Sequence, residues 1–427
     1  MATTSAPALD TGLNARLSIM MFLQYAIWGA WLPIIYSFLT GHRGFSDAEC
    51  GTIIGAGAIG AVVGPFVAGQ IADRWFPTQR FLALSHVIGA GLVWQLAAVE
   101  TYQGFLVFSI VYGLVYSPTL ALTNSLTLHH IPDRDRDFGK IRLWGTVGWI
   151  VAGVAVGQWL LFKHTPEGTD EVVKAAQDAG RADAFRGSAV LGLLMGVYCW
   201  FLPHTPPARD AREANASLKA LGEVRYQPLL TLFLLAVPIS CVHQFYFVFT
   251  GEFLSQYGRD AANAINQVLG VGGGGLMTIG QMSEIVVLAL IPLFAKSVSR
   301  KTLLGIGLAA YAARMALFAY TDSLAPVLLG VAMHGLCFGC FVFVAFMVVD
   351  ENTDADVRAS AQNLFNLVII GVGVLAGSWI AGQIGAWARV DGVRDWTKLF
   401  AVPMWAALAS LVALLAFYPG GSRSRAA

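Results

Sequence analysis

The first group in this sequence able to do chemistry is an acid where none is expected. Glu284 closes Ile279-Gly-Gln-Met-Ser-Glu284, deep in an apolar stretch, with Gln281 one helical turn before it on the same face. A carboxyl group held in an apolar layer is costly, so such a residue marks a substrate or proton pathway by default. The competing reading is a static ion pair with Arg314, the cation of another apolar stretch. Arg142, Thr146 and Trp149 form a second constellation in Ile141-Arg-Leu-Trp-Gly-Thr-Val-Gly-Trp149. Their i, i+4, i+7 spacing puts a guanidinium fork, a hydroxyl and an indole on one helix face, which suits a ligand with polar groups and a ring. The competing reading is an arginine snorkelling to lipid headgroups with Trp149 facing lipid. Gln244, beside His243, interrupts another apolar stretch and must hydrogen-bond either a ligand or a neighbouring helix. His334 is a proton relay or a satisfied core histidine. With Cys337 and Cys340 it has no fourth ligand, so no metal site is expected. The run Gly270 to Gly275 lacks the Gly-Lys-Ser/Thr ending of a phosphate loop, and no nucleophile or paired-carboxylate arrangement indicates catalysis. Neither an enzyme activity nor a cofactor is expected.

These residues sit on an all-α membrane scaffold. The chain has 427 residues, of which 56% are hydrophobic and 12% charged. A soluble domain carries about 25% charged residues, so soluble enzymes and disordered proteins are excluded. The net charge of +1 leaves no basic surplus for nucleic acid. Four of the five cysteines lie in apolar stretches, against a disulfide framework. Residues 1–16 are polar, and the apolar run after them is too long for a signal peptide, so it is expected as an uncleaved first span. Spans of membrane-crossing length fall near 17–39, 51–72, 81–99, 103–125, 142–162, 187–203, 227–254, 272–295, 302–320, 324–349, 359–385 and 398–418. Placing both termini in the cytoplasm puts the larger share of Lys and Arg inside, including Arg134 to Arg142 and Arg209 to Arg225. The polar segment 204–226 then links two six-helix halves, 1–203 and 227–427. The halves repeat weakly. Arg74 and Arg80 follow span two as Lys296, Arg300 and Lys301 follow span eight, and Asp137 to Arg142 enters span five as Asp356 to Arg358 enters span eleven. Such pseudo-symmetry suits a transporter.

Gly69-Gln-Ile-Ala-Asp73-Arg74, followed by Arg80, matches the G-x-x-x-D-R signature of the major facilitator superfamily. Gly69 permits close helix approach, and Asp73 and Arg74 can latch one conformation. The competing reading is ordinary positive-inside loop charge. Over nearly its whole length the chain resembles the nucleoside:proton symporters of that superfamily. The resemblance rests on Phe22-Leu-Gln-Tyr-Ala-Ile-Trp-Gly-Ala-Trp-Leu32, Pro118-Thr-Leu-Ala-Leu-Thr-Asn124, Ile141 to Gly148, Gln281-Met-Ser-Glu284, Arg358-Ala-Ser-Ala-Gln362 and Asp395-Trp396. It implies a nucleoside held between the halves, with Arg142, Thr146, Gln244, Gln281 and Glu284 at ligand-binding positions. Trp149, where the family has Phe, and Phe338 would stack on the base. Two positions depart from the family: Phe247 replaces a ligand-binding Asn, and Gly339 replaces an Asp. Proton coupling then falls on Glu284 together with His334. A shorter resemblance links the chain to lactose-permease-like oligosaccharide symporters through the Arg of span five, Arg314 and His334, with Cys337 where they carry a carboxylate. The expectation is a monomeric, proton-coupled nucleoside importer of a bacterial inner membrane, embedded in lipid and working by alternating access. A sugar symporter and a non-transporting sensor are the alternatives.

Overall fold

A computed structural model describes residues 7–63, 76–206, 221–257, 259–272, 274–294, 297–354 and 357–419. Gly69, Asp73 and Arg74 lie outside the described residues, as do Lys296, Asp356 and most of the 204–226 linker. Among the described residues, 11 helices are long and apolar enough to cross a membrane. The expected span 51–72 is described only to residue 63.

The chain forms two compact units. The first comprises Met1–Phe45, Ala56–Arg209 and Ala264–Gly275; the second comprises Ser46–Gly55, Asp210–Asn263 and Leu276–Ala427. Two short segments are thus exchanged relative to a cut at 204–226. In the first unit, Val271 N–H donates to the Gly157 carbonyl at 3.1 Å. In the second, a Cβ on Gly55 would lie 2.8 Å from the Leu375 carbonyl oxygen.

In chain order, the helices up to residue 198 are α1 (Thr11–Trp31), α2 (Ile35–Gly41), α3 (Asp47–Gly57), α4 (Thr78–Ala98), α5 (Tyr102–His130), α6 (Arg134–Lys163), α7 (Asp170–Gly180) and α8 (Ala182–Tyr198), all in the first unit except α3, most of which belongs to the second. Side-chain caps set several starts. Asp10 accepts from Leu13 N–H, Thr101 from Gly104 N–H and Asp133 from Arg136 N–H, each satisfying an orphan donor of the first turn. Helices α1 and α6 meet backbone to backbone, because a Cβ on Gly29 would lie 2.7 Å from the Cα of Trp149. Helix α1 is further fixed by Gln24, whose Nε2 donates to Thr119 Oγ1 at 2.8 Å and whose Oε1 lies 3.0 Å from His86 Nε2.

The second unit contains α9 (Leu229–Ser255), α10 (Arg259–Leu269), α11 (Gly274–Phe294), α12 (Arg300–Tyr320), α13 (Leu324–Ala332), α14 (Val344–Glu351), α15 (Arg358–Asn366), α16 (Gly373–Trp387), a hairpin of β1 (Arg389–Val390) and β2 (Val393–Arg394), and α17 (Trp396–Phe417). Helix α10 runs into the segment 264–275, which belongs to the first unit, and α11 starts at its end. Span ten is not one regular helix. It breaks after α13 and continues through one turn, His334–Leu336, and π-helical turns at Cys337–Phe343 before α14. Leu367–Val372 repeats the device between α15 and α16. Such π turns occur often at functional sites. At the hairpin, buried Asp47 accepts from Arg389 Nε at 2.5 Å and Arg394 Nη2 at 2.8 Å. Glu252 lies 3.2 Å from the same Arg394 nitrogen. At the opposite end, Arg300 pairs with Glu351 and Arg358 with Asp350, lacing α12, α14 and α15 together.

Large apolar side chains are exposed on both units, among them Trp94, Trp144, Trp200, Trp379 and Trp405. In water this would be an aggregation surface; against lipid it is the expected exterior.

Candidate functional site

In the first unit, α6 carries Arg142, Thr146 and Trp149 on its half-buried face, while Leu143 and Trp144 are exposed. The Arg142 guanidinium packs against α1. Its carbon lies 4.0 Å from the centre of the Tyr25 ring on α1. The Gly145 position makes room for both partners, since a Cβ there would stand 2.6 Å from Tyr25 Cδ2 and 2.8 Å from Arg142 Nη1. The result is a cation held on an aromatic face, which leaves its edge donors available for a ligand. Tyr25 is a member of this site that residue spacing could not reveal, because it lies on another helix.

In the second unit, α11 presents Gln281 and Glu284. Gln281 is buried, and its Oε1 accepts no hydrogen bond among the described residues. A buried acceptor left unpaired costs about 1–3 kcal/mol, a deficit that a ligand hydroxyl or N–H would remove. Glu284 Oε2 lies 3.5 Å from His334 Nε2, with the Glu284 side chain 15% exposed. Arg314 on α12 is fully buried and sends Nη1 to His334 Nδ1 at 3.2 Å. The imidazole of His334 therefore stands between the guanidinium and the carboxyl. Its face stacks on Tyr246, with ring centres 4.9 Å apart, and His243 lies 5.3 Å away. His243 Nδ1 is in turn 2.7 Å from the Tyr311 hydroxyl.

Gln244 lies apart from this cluster in its bonding. Its Nε2 donates to Ser378 Oγ on α16 at 2.9 Å, so one amide hydrogen holds two helices together and the other remains. Phe338 is half-buried within the π turns of span ten. Neighbouring Gly339 faces α11, where a Cβ would lie 2.7 Å from Val287 Cγ1. A carboxylate at 339 would have to displace that valine. Phe247 packs its ring against His243 at 5.1 Å and His334 at 5.9 Å. Of the two positions that depart from the family pattern, Phe247 thus packs on His334 of the cluster, and Gly339 packs against α11 one turn beyond Glu284. His243, Tyr246 and Tyr311 are further members that spacing alone did not single out; only the His243–Gln244 pair drew attention to that turn of α9.

Comparison with known proteins gives a consistent picture. The sequence family described as "Nucleoside H+ symporter" matches residues 11–421. The Escherichia coli (strain K12) protein YegT is 32% identical over 381 residues, covering 86% of this chain and 84% of its own length. The xanthosine permease of the same organism is 30% identical over 415 residues, covering 94% of each chain. A crystal structure of a mutant of the nucleoside transporter NupG superposes with a TM-score of 0.83 at 25% identity, covering 95% of this chain and 100% of that one.

Proposed function

The chain belongs to the nucleoside H+ symporter family, a multi-pass transporter with the major facilitator superfamily fold, and we propose that Gln281 and Glu284 are the centre of its substrate and proton chemistry. The observation that carries this reading is the buried, unpaired Gln281 Oε1 one turn from the Glu284–His334 pair. A nucleoside offers ring N–H and ribose O–H donors to that acceptor. The adjacent carboxyl group takes a proton on the acidic side and releases it on the other, so solute and proton cross in one cycle of alternating access.

The other contacts divide by unit. In the first, Arg142 and Thr146 donate to carbonyl or hydroxyl oxygens of the nucleoside, and Trp149 supplies a ring face. In the second, Gln244 offers its remaining amide hydrogen and Phe338 a second ring face. Gly69, Asp73 and Arg74 serve as the conformational latch. The protein works as a monomer in the bacterial inner membrane with both termini cytoplasmic, and it imports its substrate. Phe247 and Gly339 narrow the substrate to one that needs no polar partner at those two positions, such as a modified nucleoside.

The direct test is Glu284→Gln in proteoliposomes. The variant is expected to exchange internal for external nucleoside while losing accumulation against a gradient. Retained proton-driven accumulation would remove Glu284 from the coupling role.

A further inference from the structure

We propose that Arg314 is a positioning residue that locks the His334 ring in a single tautomer, so that His334 serves Glu284 as a neutral hydrogen-bond donor and does not itself carry the transported proton. The donors and acceptors around the ring fix its tautomer. A guanidinium only donates. Arg314 Nη1 stands 3.2 Å from His334 Nδ1, so Nδ1 must present a lone pair. The hydrogen of the neutral ring is then on Nε2, the atom 3.5 Å from Glu284 Oε2. A second proton could enter only at Nδ1. There it would turn an acceptor into a donor aimed at a donor, and it would set an imidazolium against a guanidinium in a buried place, where like charges repel strongly.

Neither partner is free to turn away. Arg314 is fully buried, and its Nε and Nη2 find no hydrogen-bond acceptor among the described residues. What holds its charge is aromatic: its guanidinium carbon lies 4.4 Å from the Tyr246 ring centre and 5.0 Å from that of Tyr311. His334 is clamped by Tyr246 on one face and by the rings of His243 and Phe247. The backbone around it is pinned as well. Ser283, the residue before Glu284, donates to the Ala332 carbonyl and accepts from Gly335 N–H at 3.0 Å, tying the break in span ten to the turn that carries the carboxyl. The ionisable groups facing His334 are Arg314, Glu284, His243 and Tyr246, with Tyr311 and Cys337 next to Arg314. Among these, Glu284 is the group that the proposed function assigns a change of protonation in the cycle. The inference thereby deepens the reading of Glu284 as proton carrier and rests on it for its functional meaning.

The test is a ¹⁵N spectrum of protein labelled at the histidine rings, with His334 assigned by the signals lost in His334→Gln. His334 is expected to show a protonated Nε2 and a bare Nδ1 throughout about pH 5 to 8, the range over which an ordinary histidine changes charge. Arg314→Met is expected to release the ring to a mixture of tautomers or to protonation at the acid end, and Arg314→Lys to restore the single tautomer. An imidazolium or an Nδ1–H tautomer at His334 in the unmodified protein would overturn the proposal, and this holds even if no Arg314 variant folds. In transport, His334→Gln keeps one donor and one acceptor but has no cationic form. It is expected to slow uptake about tenfold, the cost of one weakened hydrogen bond to a charged group, yet still to concentrate nucleoside. Exchange without accumulation in that variant would make His334 a carrier and overturn the proposal. Accumulation by Glu284→Gln would instead defeat the reading of Glu284 as carrier, leaving the tautomer to be judged by the spectrum.

Discussion

Arg142 shows how a side chain's meaning depends on a contact that sequence spacing does not reveal. From its own helix it can equally reach headgroups or a ligand. In the structure it rests on the Tyr25 ring of α1 at 4.0 Å. Arg142→Ala is therefore expected to weaken nucleoside binding by about 1.5–3 kcal/mol, the loss of a charged hydrogen bond. Tyr25→Leu should cost about 0.5–2 kcal/mol through the same arginine, with Tyr25→Phe close to the parent protein because the ring is kept. Calorimetric titration of the purified variants measures both. Unchanged affinity in a folded Arg142→Ala protein would return that residue to a structural role. Gln281 was legible as a buried amide, but its unpaired oxygen was not, since satisfaction of a hydrogen bond is a property of neighbours. The same applies to His334, whose link to Arg314 and Glu284 depends on three helices meeting.

At the scale of elements, apolar length made the spans legible. The expected 302–320 is observed as Arg300–Tyr320, and 398–418 as Trp396–Phe417. Caps sharpen the starts: Ser299 and Asp395 each accept from a backbone N–H of the first turn. What hydropathy missed are elements with no membrane-length run. Helices α7 and α10 are short and amphipathic, and the 389–394 hairpin has only two residues per strand. The π turns at Cys337–Phe343 were equally invisible, because one extra residue in a turn leaves the apolar pattern unchanged. The hairpin matters because it delivers Arg389 and Arg394 to Asp47, whose side chain is 1% exposed. Removing one partner of a buried pair strands the other. Asp47→Ala is expected to destabilise the protein by about 3–5 kcal/mol, seen as a lowered thermal midpoint in detergent. A midpoint equal to that of the parent would mean the arginines find water instead.

For the whole molecule, composition selected a multi-span membrane protein, the weak repeat of two six-helix halves pointed to a transporter, and the ordered short matches selected its family, which the match over residues 11–421 establishes. The substrate's identity was less legible, because Phe247 and Gly339 stand where the family pattern has polar residues. Protons drive nucleoside movement through this chain. The most direct measurement is uptake of labelled uridine and adenosine into proteoliposomes of the purified protein, with and without an inward proton gradient, beside a lactose control. Nucleoside is expected to accumulate only when the gradient is present, and lactose not at all. Nucleoside levels that never exceed the external concentration under a maintained gradient, or accumulation of lactose, would contradict it.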